Sequence, residues 1–315
     1  VTFFILLQIM IRNERQLNMI IKGYFISSCV FALYAISIIK TYGLKRAVLS
    51  EAQDPNIFAP AIGMSLVMSP YILKITRPII LRMFVLFGCC LIALGMILTG
   101  SRGTFIGLFF SIILFVFFYN LKLKTRFIYI ALIVSSFILL IFISFHLGLI
   151  NEEQLQRIVS VFNIKETGGG NSRINIWSVG WEMVKANPLI GVGLDNFQGV
   201  FLDYAFIASL PFGYQGIYYG RDAHNIFLCM IAELGIVGSI LFIVFAINIF
   251  KKLIENSRDI KAVMGIAVLA FMLITGVTEP IMYRKYFWLS IGLSLVILNL
   301  IKERDKVIRR QKDLT

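Results

Sequence analysis

The chain has 315 residues, 58% of them hydrophobic and 15% charged, with a mean hydropathy of +0.85. That composition excludes an ordinary soluble globule, in which about 25% of residues are charged. The net charge of +13 raises nucleic acid as a partner, but surplus Lys and Arg in a membrane chain collects in cytoplasmic loops, and its placement below assigns it there, with no nucleic acid.

Apolar runs of about 17–25 residues, the length at which a helix crosses a bilayer, recur along the chain. The first, at 1–11, is too short to span. It opens on Val1 rather than Met, and charges follow it instead of preceding it. An N-terminally truncated chain is therefore expected, without a cleavable signal peptide. Spans follow at 17–39, 56–73, 83–98, 104–119, 127–150, 224–250, 261–278 and 286–301. The residue alternation of a membrane barrel is absent. The predicted fold is an all-α polytopic membrane protein with eight to nine transmembrane helices. Residues 1–150 form an N-terminal helical part and 151–223 one large extracytoplasmic loop containing short helices. Residues 224–301 form a C-terminal helical part, and 302–315 a basic cytoplasmic tail. Cys29, Cys89, Cys90 and Cys229 all lie in apolar runs, with neither a disulfide framework nor metal-site spacing.

The connections alternate between two sides. Those at 12–16, 74–82, 120–126, 251–261 and 302–315 are short and carry 18 Lys or Arg. Those at 40–55, 99–103, 151–223 and 279–285 are longer in total and carry 11. The first set is therefore cytoplasmic. The large loop, the Ser101-Arg102 turn, the Asp54-Pro55-Asn56 turn and the Glu279-Pro280 turn then share the outer face.

Those turns carry the chemistry. In Thr99-Gly100-Ser101-Arg102-Gly103-Thr104, Gly100 and Gly103 permit the reversal and Ser101 caps the next helix. Arg102 is held at a helix N-terminus, suited to an anionic group or to snorkelling toward lipid headgroups. In the loop, Gly168-Gly169-Gly170 leads into a helix that Asn187-Pro188 stops. Ile174, Trp177, Trp181 and Val184 make one apolar stripe on it. Arg173, at its start, is a second cation for the same ligand or a plain helix-end charge. Gly191-Val192-Gly193 is a tight turn, not a dinucleotide site. Phe212, Tyr214, Tyr218 and Tyr219 suit the membrane interface more than sugar stacking. His224 opens the next long helix, where the helix dipole disfavours imidazolium and helps the ring stay a neutral base; a capping or interfacial histidine, the commoner role of a lone His, is the alternative. Glu233, inside that span, is costly to bury, whereas His146 reads as packing. There is no Walker loop, HExxH, GxSxG or Asp-x-Asp pattern. Glu303-Arg304-Asp305 comes nearest to the last, in the cytoplasmic tail.

Taken in order, Asp54-Pro55-Asn56, Thr99-Gly100-Ser101-Arg102-Gly103, Arg173 with Trp177, Asn187-Pro188-Leu189-Ile190-Gly191-Val192-Gly193 and Ala223-His224-Asn225 with Glu233-Leu234-Gly235 resemble the bacterial O-antigen ligase and polysaccharide polymerase superfamily. The block from 187 to 238 is the most specific part. The resemblance implies glycosyl transfer, on the outer face of the cytoplasmic (inner) membrane, from a polyprenyl-diphosphate-linked oligosaccharide to a sugar hydroxyl, without nucleotide, metal or other cofactor. Arg102 and Arg173 match the diphosphate-binding arginines and His224 the acceptor-activating histidine. Arg221, Asp222, Asn225 and Ser101 are the expected substrate-binding neighbours. The implied partners are the lipid-linked donor, the glycan acceptor, the bilayer, and a chain-length regulator or flippase.

The leading expectation is polymerisation of O-antigen, capsule or exopolysaccharide. Ligation of finished glycan to lipid A core or protein is the same-family alternative. A flippase for the same lipid-linked sugar would need polar residues deep in several spans, and Glu233 is nearly alone there. If His224 only positions ligand, Asp222 and Glu279 are the first alternative bases.

Overall fold

The computed structural model describes residues 2–42, 46, 54–119, 123–146, 148, 150, 152, 155–156, 169–208, 210, 221–279 and 281–312. Its helices are α1 (Thr2–Met10), α2 (Glu14–Tyr42), α3 (Pro55–Ile75), α4 (Ile79–Thr99), α5 (Arg102–Phe118), α6 (Leu123–His146), α7 (Gly169–Ala186), α8 (Phe201–Ala205), α9 (Ile226–Glu255), α10 (Ile260–Gly276) and α11 (Lys285–Lys312). A 3-10 turn, Ile281–Tyr283, joins the last two, and no strand occurs among the described residues. The chain is an all-α polytopic membrane protein. Helices α2, α3, α4, α9 and α11 are long and apolar enough to cross a bilayer, and α5, α6 and α10 contain shorter apolar stretches. The eight expected spans correspond in order to α2–α6 and α9–α11. The run expected to be a basic tail from Lys302 continues α11 as helix to Lys312. The tyrosines of 212–219 and Gly168 lie outside the described residues.

Helix α10 is the axis of the bundle. From Ile260 to Met272 every residue is buried, as are Thr275 and Gly276. A helix that is apolar all round belongs in the interior, and α3, α5, α9 and α11 pack around it. One end of the axis is locked by charge. Asp259 caps α10 by accepting from Lys261 N at 3.0 Å. The Lys261 ammonium is buried between Glu14 and Asp259, and Arg304 Nη1 donates to Asp259 Oδ2 at 2.7 Å. This network ties α2, α10 and α11 together at the end opposite the expected site.

At the other end α9 is interrupted. Gly235 sits at φ 66°, ψ −173°, outside helical geometry. The chain at 188–193 repairs the break. Val192 N donates to Ala232 O at 2.8 Å and Gly193 N to Glu233 O at 3.0 Å, while Ile236 N donates to Pro188 O at 2.9 Å and Val237 N to Leu189 O at 3.2 Å. The two backbones approach so closely that a Cβ on Gly191 would lie 2.3 Å from the carbonyl carbon of Glu233, and one on Gly235 2.3 Å from that of Leu189. Both glycines also hold positive φ, so side chains are excluded twice over. The Gly-Val-Gly turn and the Glu-Leu-Gly run are thus two halves of one clamp.

Candidate active site

Glu233 secures that clamp from inside. Its Oε1 accepts from Phe197 N at 3.0 Å, and its Oε2 accepts from Asp195 N at 3.2 Å and from the Tyr283 hydroxyl. The buried carboxylate therefore satisfies loop amides that have left the helix ladder, which resolves its cost. Together with Asp195, Gln198, Asp222, Ala223 and Tyr283 it lines a cavity of about 490 Å³. His224, Arg173 and Glu279 do not line it.

Helix α7 lies on this framework. Its buried face is Ile176, Val179, Met183 and Val184, whereas Ile174 and Trp181 are exposed. The expected stripe is corrected accordingly: only Val184 of its four members is fully buried, because the face is set by packing against α9 and α8 and not by the largest apolar side chains. Trp177 is half-buried, and its indole Nε1 donates to Ala223 O at 3.0 Å. That bond fixes the backbone just before His224.

The expectation that His224 opens α9 is corrected, since the helix begins at Ile226. Asn225 is the N-cap, its side chain accepting from Phe227 N at 2.9 Å and Leu228 N at 3.1 Å. Asn225 is therefore placed as a structural cap. His224 stands one residue outside at φ 47°, a left-handed conformation uncommon for a side-chain-bearing residue and concentrated at functional sites. There the imidazole meets a carboxylate rather than the helix dipole alone. Its Nδ1 is 3.5 Å from Glu279 Oε2.

Glu279 is the centre of the arrangement. It follows α10, is 1% exposed, and its Oε1 accepts from Arg173 Nη2 at 3.2 Å. One buried carboxylate thus spans the candidate base and a candidate diphosphate-binding arginine. Burial pushes the Glu279 carboxyl above the ordinary range, His224 and Arg173 pull it back, and Asp54 adds to the rise, with a net upward shift. Asp54, which caps α3 through Asn56 N at 2.8 Å, completes the cluster. One ligand-type atom each from Asp54, His224 and Glu279 lies within 4.8 Å of the others, a spacing that could hold a metal ion, although the Arg173 guanidinium already brings a cation to Glu279.

The remaining expected residues are distributed around this centre. Arg102 begins α5. Its neighbour Gly103 packs so tightly that an added Cβ would lie 1.8 Å from Thr278 Oγ1. Arg102 and Glu279 are therefore at the same end of the bundle. Gly100 alone makes the reversal, at φ 61°, and Gly103 serves this packing instead. Ser101 occupies the N-cap position, but its hydroxyl pairs with that of Thr104 at 2.9 Å and makes no capping bond. It is 1% exposed, which places it in packing and not on a ligand surface. Asp222 faces the neighbouring cavity and Arg221 is exposed. Arg46, not singled out from sequence, reaches the same end, donating from Nε to Thr99 O at 2.6 Å and from Nη2 to Asn56 Oδ1 at 2.8 Å. The sequence offered Asp54 as part of an outer turn and Glu279 as an alternative base to His224, but no local pattern marked either as a partner of His224.

The fold and this end of it define a membrane-embedded helical bundle with cations, an imidazole and a buried carboxylate gathered at one mouth. Residues 87–243 match the family model described as O-antigen ligase, so the chain carries an O-antigen ligase family domain there. The match includes Arg102, Arg173 and His224 but ends before Glu279. Among curated proteins, none matches the chain. The family supports glycosyl transfer of the O-antigen ligase or polymerase type, with lipid-linked glycan substrates in a membrane setting.

Proposed function

We propose that this protein moves glycan from a polyprenyl-diphosphate-linked oligosaccharide to a sugar hydroxyl on the outer face of the cytoplasmic membrane, extending a cell-surface polysaccharide. The observation that carries this reading is Glu279, buried between Arg173 and His224. Nδ1 faces Glu279 Oε2 as an ion-pair contact at 3.5 Å; the carboxylate favours the ring proton on that nitrogen and leaves Nε2 to accept one. Nε2 takes the proton of the acceptor hydroxyl as its oxygen bonds to the anomeric carbon of the donor. The bond from that carbon to the diphosphate oxygen breaks, and the polyprenyl diphosphate leaves with the electron pair. Arg173 and Arg102 stabilise the charge that develops on it. The imidazolium then returns its proton to solvent. The flippase reading loses its main support, because the deep carboxylate Glu233 is engaged by loop amides and Tyr283.

The arginines test the donor half. Arg102→Ala and Arg173→Ala are each expected to abolish transfer in purified protein that inserts at normal levels. Lysine at either position restores only part, because the planar guanidinium contacts a diphosphate through two donors at once. Full activity of Arg102→Ala overturns the diphosphate role. Sidedness is tested separately by fused reporters. One after Glu166 is expected to read outside, and those after Ser257 and at Thr315 inside. A cytoplasmic large loop would place the site away from its substrate and end the proposal.

A further inference from the structure

The clamp at Gly235 also fixes how deep the loop sits. Helix α9 has 30 residues, about 45 Å at 1.5 Å per residue, against a hydrocarbon core of about 30 Å. Lys251 and Lys252 mark its far end. About 20 residues counted back from Phe250, the number that spans the core, reach Ile231. The four backbone bonds from 188–193 fall on residues 232–237, at or just inside that boundary. Non-helical backbone is tolerated at this depth only where its polar groups are paired, and these bonds pair both the broken helix and the loop. The side chains that the loop then presents outward are apolar. Leu189 is 64% exposed, Ile190 78% and Leu194 66%. In water such a patch would be unfavourable; in lipid it faces its own solvent.

We propose that residues 188–194 form a re-entrant apolar loop whose Leu189, Ile190 and Leu194 side chains lie in bilayer lipid. The loop anchors α7 at the membrane surface. Through the Trp177–Ala223 bond it sets the height of His224. Trp181, exposed on the outer face of α7, suits the interfacial zone where tryptophan collects. The inference rests on backbone geometry and span length and not on the transfer reaction.

The test uses the full chain in nanodiscs of phosphatidylethanolamine and phosphatidylglycerol, with its four native cysteines replaced by alanine. Bimane is attached at Ile190→Cys and, as control, at Lys185→Cys, a position 67% exposed on its side chain. At 190, strong quenching by a lipid carrying a nitroxide high on its acyl chain is expected, with loss of quenching by aqueous iodide. At 185 the pattern reverses. His224→Ala leaves both patterns unchanged, so a failure of the catalytic reading is distinguishable from a failure of this one. Iodide quenching at 190 equal to that at 185 overturns insertion. Quenching by neither agent also overturns it, pointing to a protein covering the loop. If the cysteine-free chain does not fold, Ile190→Trp in the otherwise native chain is read against the native protein with brominated lipid. Added fluorescence that bromine leaves unquenched overturns the proposal equally.

Discussion

His224→Ala is expected to slow single-turnover glycan transfer by about 10²–10⁴-fold, the scale of general base catalysis, while leaving binding of the lipid-linked donor intact. The separation follows from geometry. Arg173 meets Glu279 Oε1 from α7, and Arg102 stands at the start of α5, so removal of the ring at 224 takes away neither cation nor the carboxylate that holds Arg173. The φ of 47° at residue 224 gives a further check. His224→Asn tolerates that backbone conformation but offers no comparable base, so it is expected to be as inactive as alanine and better folded. His224→Lys also fails. The measurement is single-turnover transfer with purified protein beside a donor-binding assay. Loss of donor binding with turnover preserved at saturating donor would make His224 a positioning residue and move the base to a carboxylate.

Glu279→Gln is expected to impair transfer about as severely as loss of the base itself, because one change releases two groups. Truncating a buried charged partner leaves the other charges uncompensated. The amide cannot hold the Arg173 guanidinium ionically or fix the imidazole proton on Nδ1. Donor binding should weaken along with turnover, which distinguishes this variant from His224→Ala. The pH dependence carries a sign. Burial first, then Asp54, raise the Glu279 carboxyl above its ordinary range despite His224 and Arg173. Transfer that needs the ionised carboxylate is then lost on the acid side from a higher pH than an ordinary glutamate would give, and Glu279→Gln removes that contribution to the acid limb. Stability runs the other way. A carboxyl with a raised folded-state pKa contributes stability below its unfolded pKa, and that contribution is lost as pH rises through the folded value. The native protein is thus expected to lose thermal stability on that rise relative to Glu279→Gln. Identical pH–rate profiles for the two proteins would remove Glu279 from the mechanism.

The sequence by itself determined the membrane class and the order of the apolar helices. These follow from composition and run length, which are one-dimensional because a bilayer imposes its thickness on each segment separately. It also put forward Arg102, Arg173 and His224 as candidates, since each sits in a local motif. Where packing chooses between neighbours, sequence pattern alone was insufficient. The stripe containing Trp177 and Trp181 had the right period, yet the face that α7 buries is centred on Val179 and Met183, because packing against α8 and α9, and not side-chain size, selects the covered side. Gly103 read as a turn residue, but its lack of a side chain is required by Thr278, far along the chain. Only the tertiary structure decided that Glu279 belongs with His224 and Arg173. Its charge is acceptable in a buried position solely because helices α7, α9 and α10 bring a guanidinium and an imidazole to it from separate parts of the chain, and no local spacing records such a meeting.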